Sequence, residues 1–247
     1  GFLRISCEGE PMKKIVITIV LSISPILAQC DWNEDNQVDV LDVVATVDCI
    51  MSDCWSVDPC TDYDGNTYET IQLGDQVWMA ENLRVTHYNN GDEIPTNYSN
   101  SQWSALSIGA FAVYNDDPFN METYCNLYNW YAVDDYRGIC PEEFHAPSDE
   151  DWTELTDFLG ESAGSQLAGD ADLWNIVGLV NNPAFGTSGF GALPGGYRND
   201  VDGICYSMGD GGYFWSSTAY SSNDAWFRNL GYTESEFSRG PSYHRNG

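Results

Sequence analysis

The sequence predicts an α+β domain of short strands, two helices and long loops, preceded by a small calcium-loop and helix segment. Three observations predict it. An oxygen-rich loop with helical apolar spacing behind it begins at Asp31, turn-flanked apolar runs over 68–79 read as a hairpin, and a strongly capped amphipathic stretch begins at Ser148. Aromatic residues make up 14% of the chain and include nine tryptophans, enough to build a core and too many for a disordered polymer.

In chain order, Met12, Lys13 and Lys14 precede an apolar run from Ile15 to Leu27, interrupted by Pro25 and ending at Ala28. A short basic start, an apolar centre and a small residue before the cut describe a secretory leader over 12–28. The run is too short and too broken to be preferred as a membrane span, so none is expected after cleavage. Residues 1–11 then read as upstream sequence, and the mature chain starts at Gln29; lipidation of Cys30 is disfavoured by the bulky Gln29 before it. The expected location is outside a bacterial cell, secreted or held at its surface.

Residues 29–60 form the small appendage. Asp31, Asn33, Asp35, Asp39 and Asp42 carry side-chain oxygens at loop positions 1, 3, 5, 9 and 12, and Gln37 offers its backbone carbonyl at position 7. That spacing wraps a hard cation, so these six residues are the candidate calcium ligands and calcium the expected cofactor. Leu41, Val44, Val47 and Met51 follow at helical spacing. The segment resembles one dockerin repeat, with Asn36 in the usual glycine place and Asp42 in place of the usual glutamate. Dockerins carry two repeats; a second is missing, so cohesin binding does not follow.

The main domain is expected over 61–247. Asp62, Asp64, Gly65 and Asn66 make a turn signal, for which turn formation is favoured over cation binding. Tyr68 to Leu73 and Gln76 to Met79 flank Gly74-Asp75 as a hairpin. Ser148 is placed to cap a helix with Asp151 three residues on; Trp152, Leu155, Phe158 and Leu159 then share one face, and Gly160 ends it. A second helix is expected within Ser162 to Leu173. Arg84, Arg198 and Arg228 are expected to be structural anchors, because a buried carboxylate pair suits arginine.

Five blocks make the chain recognisable. They are DYDGNTYETIQLGDQVWMAENL over 62–83, LYNWYAV over 127–133, CPEEFHAPSDEDW over 140–152, GFGALPGGYR over 189–198 and GYFWSST over 212–218. Their content and order resemble the Fibrobacter succinogenes major paralogous domain family from about residue 60 onward. Phe144 and Glu143 depart from the tryptophan and glycine usual there. The resemblance implies a C-type-lectin-like fold. It also implies a further strand beyond Gly247, whose cysteine would pair with Cys140, leaving Cys125 and Cys205 for each other.

Charge and cysteine usage bound the partners. The chain has 38 acidic against 9 basic residues and a net charge of −29, with no lysine after Lys14. Nucleic-acid binding rests on neutralising phosphates, so it is excluded as an expectation. Eight cysteines, with Cys30, Cys49, Cys54 and Cys60 clustered, suit an oxidising compartment, and Cys54 and Cys60 could tie a linker. Catalysis is not expected. Only His87, His145 and His244 are present, Ser148 beside His145 reads as a cap, and neither a phosphate loop nor a dinucleotide fingerprint occurs. A relation to formylglycine-generating enzymes, which share lectin-like folds, would need a cysteine site that the sequence does not locate. The expected function is a non-catalytic module that binds carbohydrate or another surface polymer, with Trp103 and Trp226 as candidate contacts. An adhesion or structural role against a protein partner is the alternative.

Overall fold

Residues 58–175, 177–231, 236–244 and 246–247 are described in a computed structural model of the chain. The expected leader and the calcium-loop residues Asp31, Asn33, Asp35, Gln37, Asp39 and Asp42 lie outside them, as does Cys54. No helix among the described residues is long and apolar enough to cross a membrane.

The first hairpin joins β1 (Cys60–Thr61) to β2 (Thr67–Tyr68) through the Asp62 to Asn66 turn. Asp62 accepts bonds from the Asn66 backbone and side-chain amides at 2.9 Å each and from the buried Tyr68 hydroxyl. Asp64 is used up in the same way, by Thr86 Oγ1 at 2.8 Å and by His87 Nδ1 at 2.6 Å. These carboxylates close a turn and hold a loop. A second hairpin follows, β3 (Thr70–Leu73) and β4 (Gln76–Met79), in register across Gly74-Asp75. Then come α1 (Asn100–Trp103), β5 (Phe111–Ala112), α2 (Pro118–Tyr124), β6 (Leu127–Tyr128) paired with β5, and α3 (Trp130–Val133).

The longest helix among the described residues, α4 (Asp149–Leu159), starts where its cap places it. Ser148 Oγ accepts the Asp151 amide at 3.1 Å and Asp151 Oδ2 accepts the Ser148 amide at 2.7 Å, so two otherwise orphan donors are satisfied reciprocally. Trp152 and Leu155 are buried, whereas Phe158 is 58% exposed and merely covers Gly74. Phe158 therefore leaves the expected apolar face. The second expected helix is split into α5 (Ala163–Leu167) and a 3-10 turn at Ala171–Leu173, because Ala168 is extended and bridges Ala192. A further short helix, α6 (Val177–Val180), follows.

The C-terminal part is a five-stranded sheet of β7 (Gly195–Arg198), β8 (Cys205–Met208), β9 (Gly211–Ala219), β10 (Asp224–Gly231) and β11 (Phe237–Tyr243), in the order β11-β10-β9-β7-β8. All neighbours are antiparallel except β7 and β9, which meet in parallel at Gly196 and Gly212. One face lies on α4. There Trp152 packs on Trp78 at 4.7 Å and touches Phe214, Phe190 and Phe237, and Leu155, Leu179 and Leu230 are fully buried. Each such leucine contributes about 1.5–3 kcal/mol through lost apolar exposure. Two smaller cores sit under the loops, one around Val85, Tyr88 and Ile139, the other around Trp103, Leu106 and Ala110.

Cys60, Cys125, Cys140 and Cys205 are free thiols. The expected Cys125–Cys205 bridge is not formed, since the two side chains have different surroundings. Cys205 accepts the Asn115 amide at 3.4 Å, whereas Cys125 lies beside Arg84 and Glu81. Cys140 is also unbridged, and burial, followed by the nearby Cys60, pushes its thiol up to about 12.

Candidate functional site

In a strand, adjacent side chains point to opposite faces. Arg198, Phe214, Arg228 and Leu230 therefore turn toward the helix-covered face, and their neighbours Tyr197, Tyr213, Phe227 and Asn229 toward the other. On that second face four rings form a row across four strands. Tyr206 on β8 lies 6.0 Å from Tyr197 on β7, Tyr197 4.8 Å from Tyr213 on β9, and Tyr213 6.1 Å from Phe227 on β10. Tyr206 and Tyr213 are 40% and 37% exposed, and Tyr197 and Phe227 are half-buried. In the β7–β8 loop, which leads into the strand of Tyr206, Val201 and Ile204 are exposed. An exposed apolar surface of this continuity marks a contact site more often than an accident of composition.

Polar groups border the rings. Asn229 is paired with Ser238 and with Tyr213 across the strands, and Asp202 accepts the Tyr206 hydroxyl at 2.7 Å and the Ile204 amide at 3.0 Å. The bond from the Ile204 amide and then that from the Tyr206 hydroxyl hold the exposed Asp202 carboxyl below its ordinary range. Two glycines make this face possible. Gly196 is left-handed at φ 67°, and a Cβ there would run into the backbone of Tyr206 and Met208. Gly203, at φ 70°, approaches Asn100 so closely that a side chain would overlap its backbone.

The opposite face fixes the sheet in place. Arg198, 2% exposed, donates to Gly203 O and Tyr98 O at 2.8 Å each and to Asn100 Oδ1 at 3.2 Å, with its guanidinium over Trp103 at 4.7 Å. Its backbone exchanges both hydrogen bonds with Gly247, at 2.6 and 2.9 Å. Asp149 accepts Arg228 at 2.6 Å and clamps Arg239 through two bonds of 2.9 and 2.6 Å, and Arg239 in turn lies 3.4 Å over Trp226.

The two candidate tryptophans therefore separate. Trp103 is fully buried beneath Arg198, which removes it as a ligand contact: its ring completes a core. Trp226 is half-buried, stacked under Arg239 and edge-on to Tyr220 at 4.7 Å, on the side away from the ring row. The ring row itself was not singled out from sequence. The signal was a tyrosine or phenylalanine in each of these four late strands, followed in two of them by an arginine, Arg198 and Arg228, that points the other way.

Two other places carry chemistry-bearing groups. Asp151 Oδ2 accepts Ser148 Oγ at 2.8 Å and meets His145 Nε2 at 3.2 Å. In a nucleophilic relay the imidazole stands between carboxylate and hydroxyl; here the hydroxyl bonds straight to the carboxylate, which is a helix cap. The second is a cleft of about 360 Å³ lined by Glu81, Asn82, Arg84, Met121, Cys125 and Gly191, among others. Cys125 sits there with φ 63° at the end of α2. Burial raises its thiol pKa against the opposing pull of Arg84, the wrong direction for a nucleophile. Arg84 is engaged by Thr67 O at 2.7 Å and Glu81 at 3.1 Å. Among the described residues no group of three or more acidic, histidine or cysteine side chains is arranged to hold a metal.

A family model described as the Fibrobacter succinogenes major domain matches residues 71–245. No curated protein and no solved structure matches the chain.

Proposed function

Because the chain belongs to the Fibrobacter succinogenes major domain family, and because its late strands carry an exposed ring row, we propose that it is an exported, non-catalytic module binding a carbohydrate polymer. The fold is read as α+β and C-type-lectin-like, and calcium as a structural ion of the appendage at Asp31 to Asp42. One observation supports the binding reading above all: Tyr206, Tyr197, Tyr213 and Phe227 form an unbroken, partly exposed series on the sheet face away from α4. Pyranose rings present apolar C–H faces that pack on aromatic faces, and their hydroxyls bond to the tyrosine hydroxyls and amides beside them.

The test is binding of the full chain to an immobilised glycan panel, with Tyr213→Ala alongside. Loss of the wild-type signal in the variant is expected, at unchanged melting temperature and with no effect of EDTA, since the row holds no calcium ligands. Panel-wide silence, or signal that survives the substitution, would sink the reading. A protein-contact role is the second reading, favoured by α2, which buries none of its residues and leaves Phe119 76% exposed.

A further inference from the structure

The charge layout around the ring row narrows its occupant, given the carbohydrate reading on which this step rests. Beyond Lys14 the only basic side chains, histidines aside, are six arginines, and five of them are described. All five are committed elsewhere. Arg84 is held by Thr67 O and Glu81, Arg137 by Asp135 and Asp92, Arg198 by Gly203 O and Tyr98 O, and Arg228 and Arg239 by Asp149. Strand alternation turns the three sheet arginines to the far face. The row is bordered instead by the Asn229 amide, the Ser238 hydroxyl and the Asp202 carboxylate. Among the described residues an anionic polymer would find no cation there, and it would meet a chain of net charge −29.

We propose that the row binds an uncharged, extended polysaccharide laid across the strands from Tyr206 to Phe227, with Asn229 and Ser238 bonding its hydroxyls at one end and Asp202 at the other. The three ring-to-ring steps span β8 to β10, so a single sugar cannot occupy the whole row. Recognition of a ligand without charge is carried by apolar contact and hydrogen bonds to its hydroxyls, which salt screens little.

Affinity electrophoresis of the full chain tests this in gels containing galactomannan, xyloglucan or hydroxyethylcellulose (uncharged), polygalacturonate or alginate (anionic) and chitosan (cationic), at low and high salt. Retardation is expected in at least one uncharged gel, unaltered by salt, and roughly tenfold weaker in both Tyr206→Ala and Phe227→Ala. Two end variants guard against a fold defect in one, and a melting scan of each confirms folding. A single sensitive end overturns the extended occupant. Row-dependent retardation by an anionic or cationic polymer overturns the uncharged class and leaves the carbohydrate reading standing. Retardation by none of them, or by chitosan alone in a row-independent, salt-sensitive way, overturns both.

Discussion

Asp149 shows how much one side chain can carry. It stands at the first turn of α4 and holds Arg228, 2% exposed, and Arg239, about half exposed. Burial opposes its charge, and the bonds from Arg239 and then Arg228 more than offset that, so its carboxyl titrates below the ordinary range. Asp149→Ala leaves the Arg228 charge buried without a counter-ion, bonded only to the residue-149 carbonyl and Thr153 Oγ1, and should lower stability by about 3 kcal/mol. A depressed carboxyl stabilises fully above its unfolded pKa, about 3.9, and loses this as pH falls through the folded value. The gap between wild type and variant in urea midpoint should therefore be constant near neutrality and close in acid; a gap that widens in acid would reject the assignment. Arg198 makes a second residue-scale contrast. Arg198→Ala empties a fully enclosed site and strands three oxygens, whereas Arg239→Ala exposes a ring already at the surface. The melting temperature should fall clearly more for Arg198→Ala, and equal falls would contradict the burial.

Elements were legible in the sequence where local chemistry decides them. The β3–β4 hairpin follows from Gly74-Asp75 between apolar runs, and α4 follows from Ser148, three acidic residues in its first turn and Gly160 at φ 67°. Ser148→Ala should cost about 1 kcal/mol, read as a shift of the denaturation midpoint, while Ser148→Asp should recover most of it. Elements that depend on distant partners were not legible. The Ser162 to Leu173 stretch breaks because Ala168 must bridge Ala192, a contact twenty-four positions away that no local pattern announces. The same limit applied to the site. Trp103 read as a candidate ligand contact because nothing local shows that Arg198 comes to lie over it, and the tyrosine row exists only once β7, β8, β9 and β10 are placed side by side. Strand order, β11-β10-β9-β7-β8, is what converts four scattered rings into one surface.

For the molecule as a whole, acidity and aromatic content act in separate places. The carboxylates outnumber the cations so heavily that four of the five described arginines hold one directly; Arg198 is bonded to carbonyl and amide oxygens instead, and none of the five turns to the ring row. Charge of this sign keeps copies of the chain apart in solution and turns away anionic partners. The two tests of the ring row, glycan binding with Tyr213→Ala and the charge-sorted polymer series, belong to this scale because they read the sheet as a unit.

The confinement of the arginines has one more consequence, for survival among digestive enzymes. Trypsin cuts after lysine or arginine, and it needs the chain to enter its cleft as an extended, unpaired segment. With no lysine beyond Lys14, its targets in the main domain are arginines alone. Arg198 and Arg228 are sealed inside, and Arg239 lies within a strand paired along its length to β10. Among the described residues such an enzyme is left with Arg84 and Arg137, which lie outside the helices and strands, and the interactions that build the sheet also shield it from being cut.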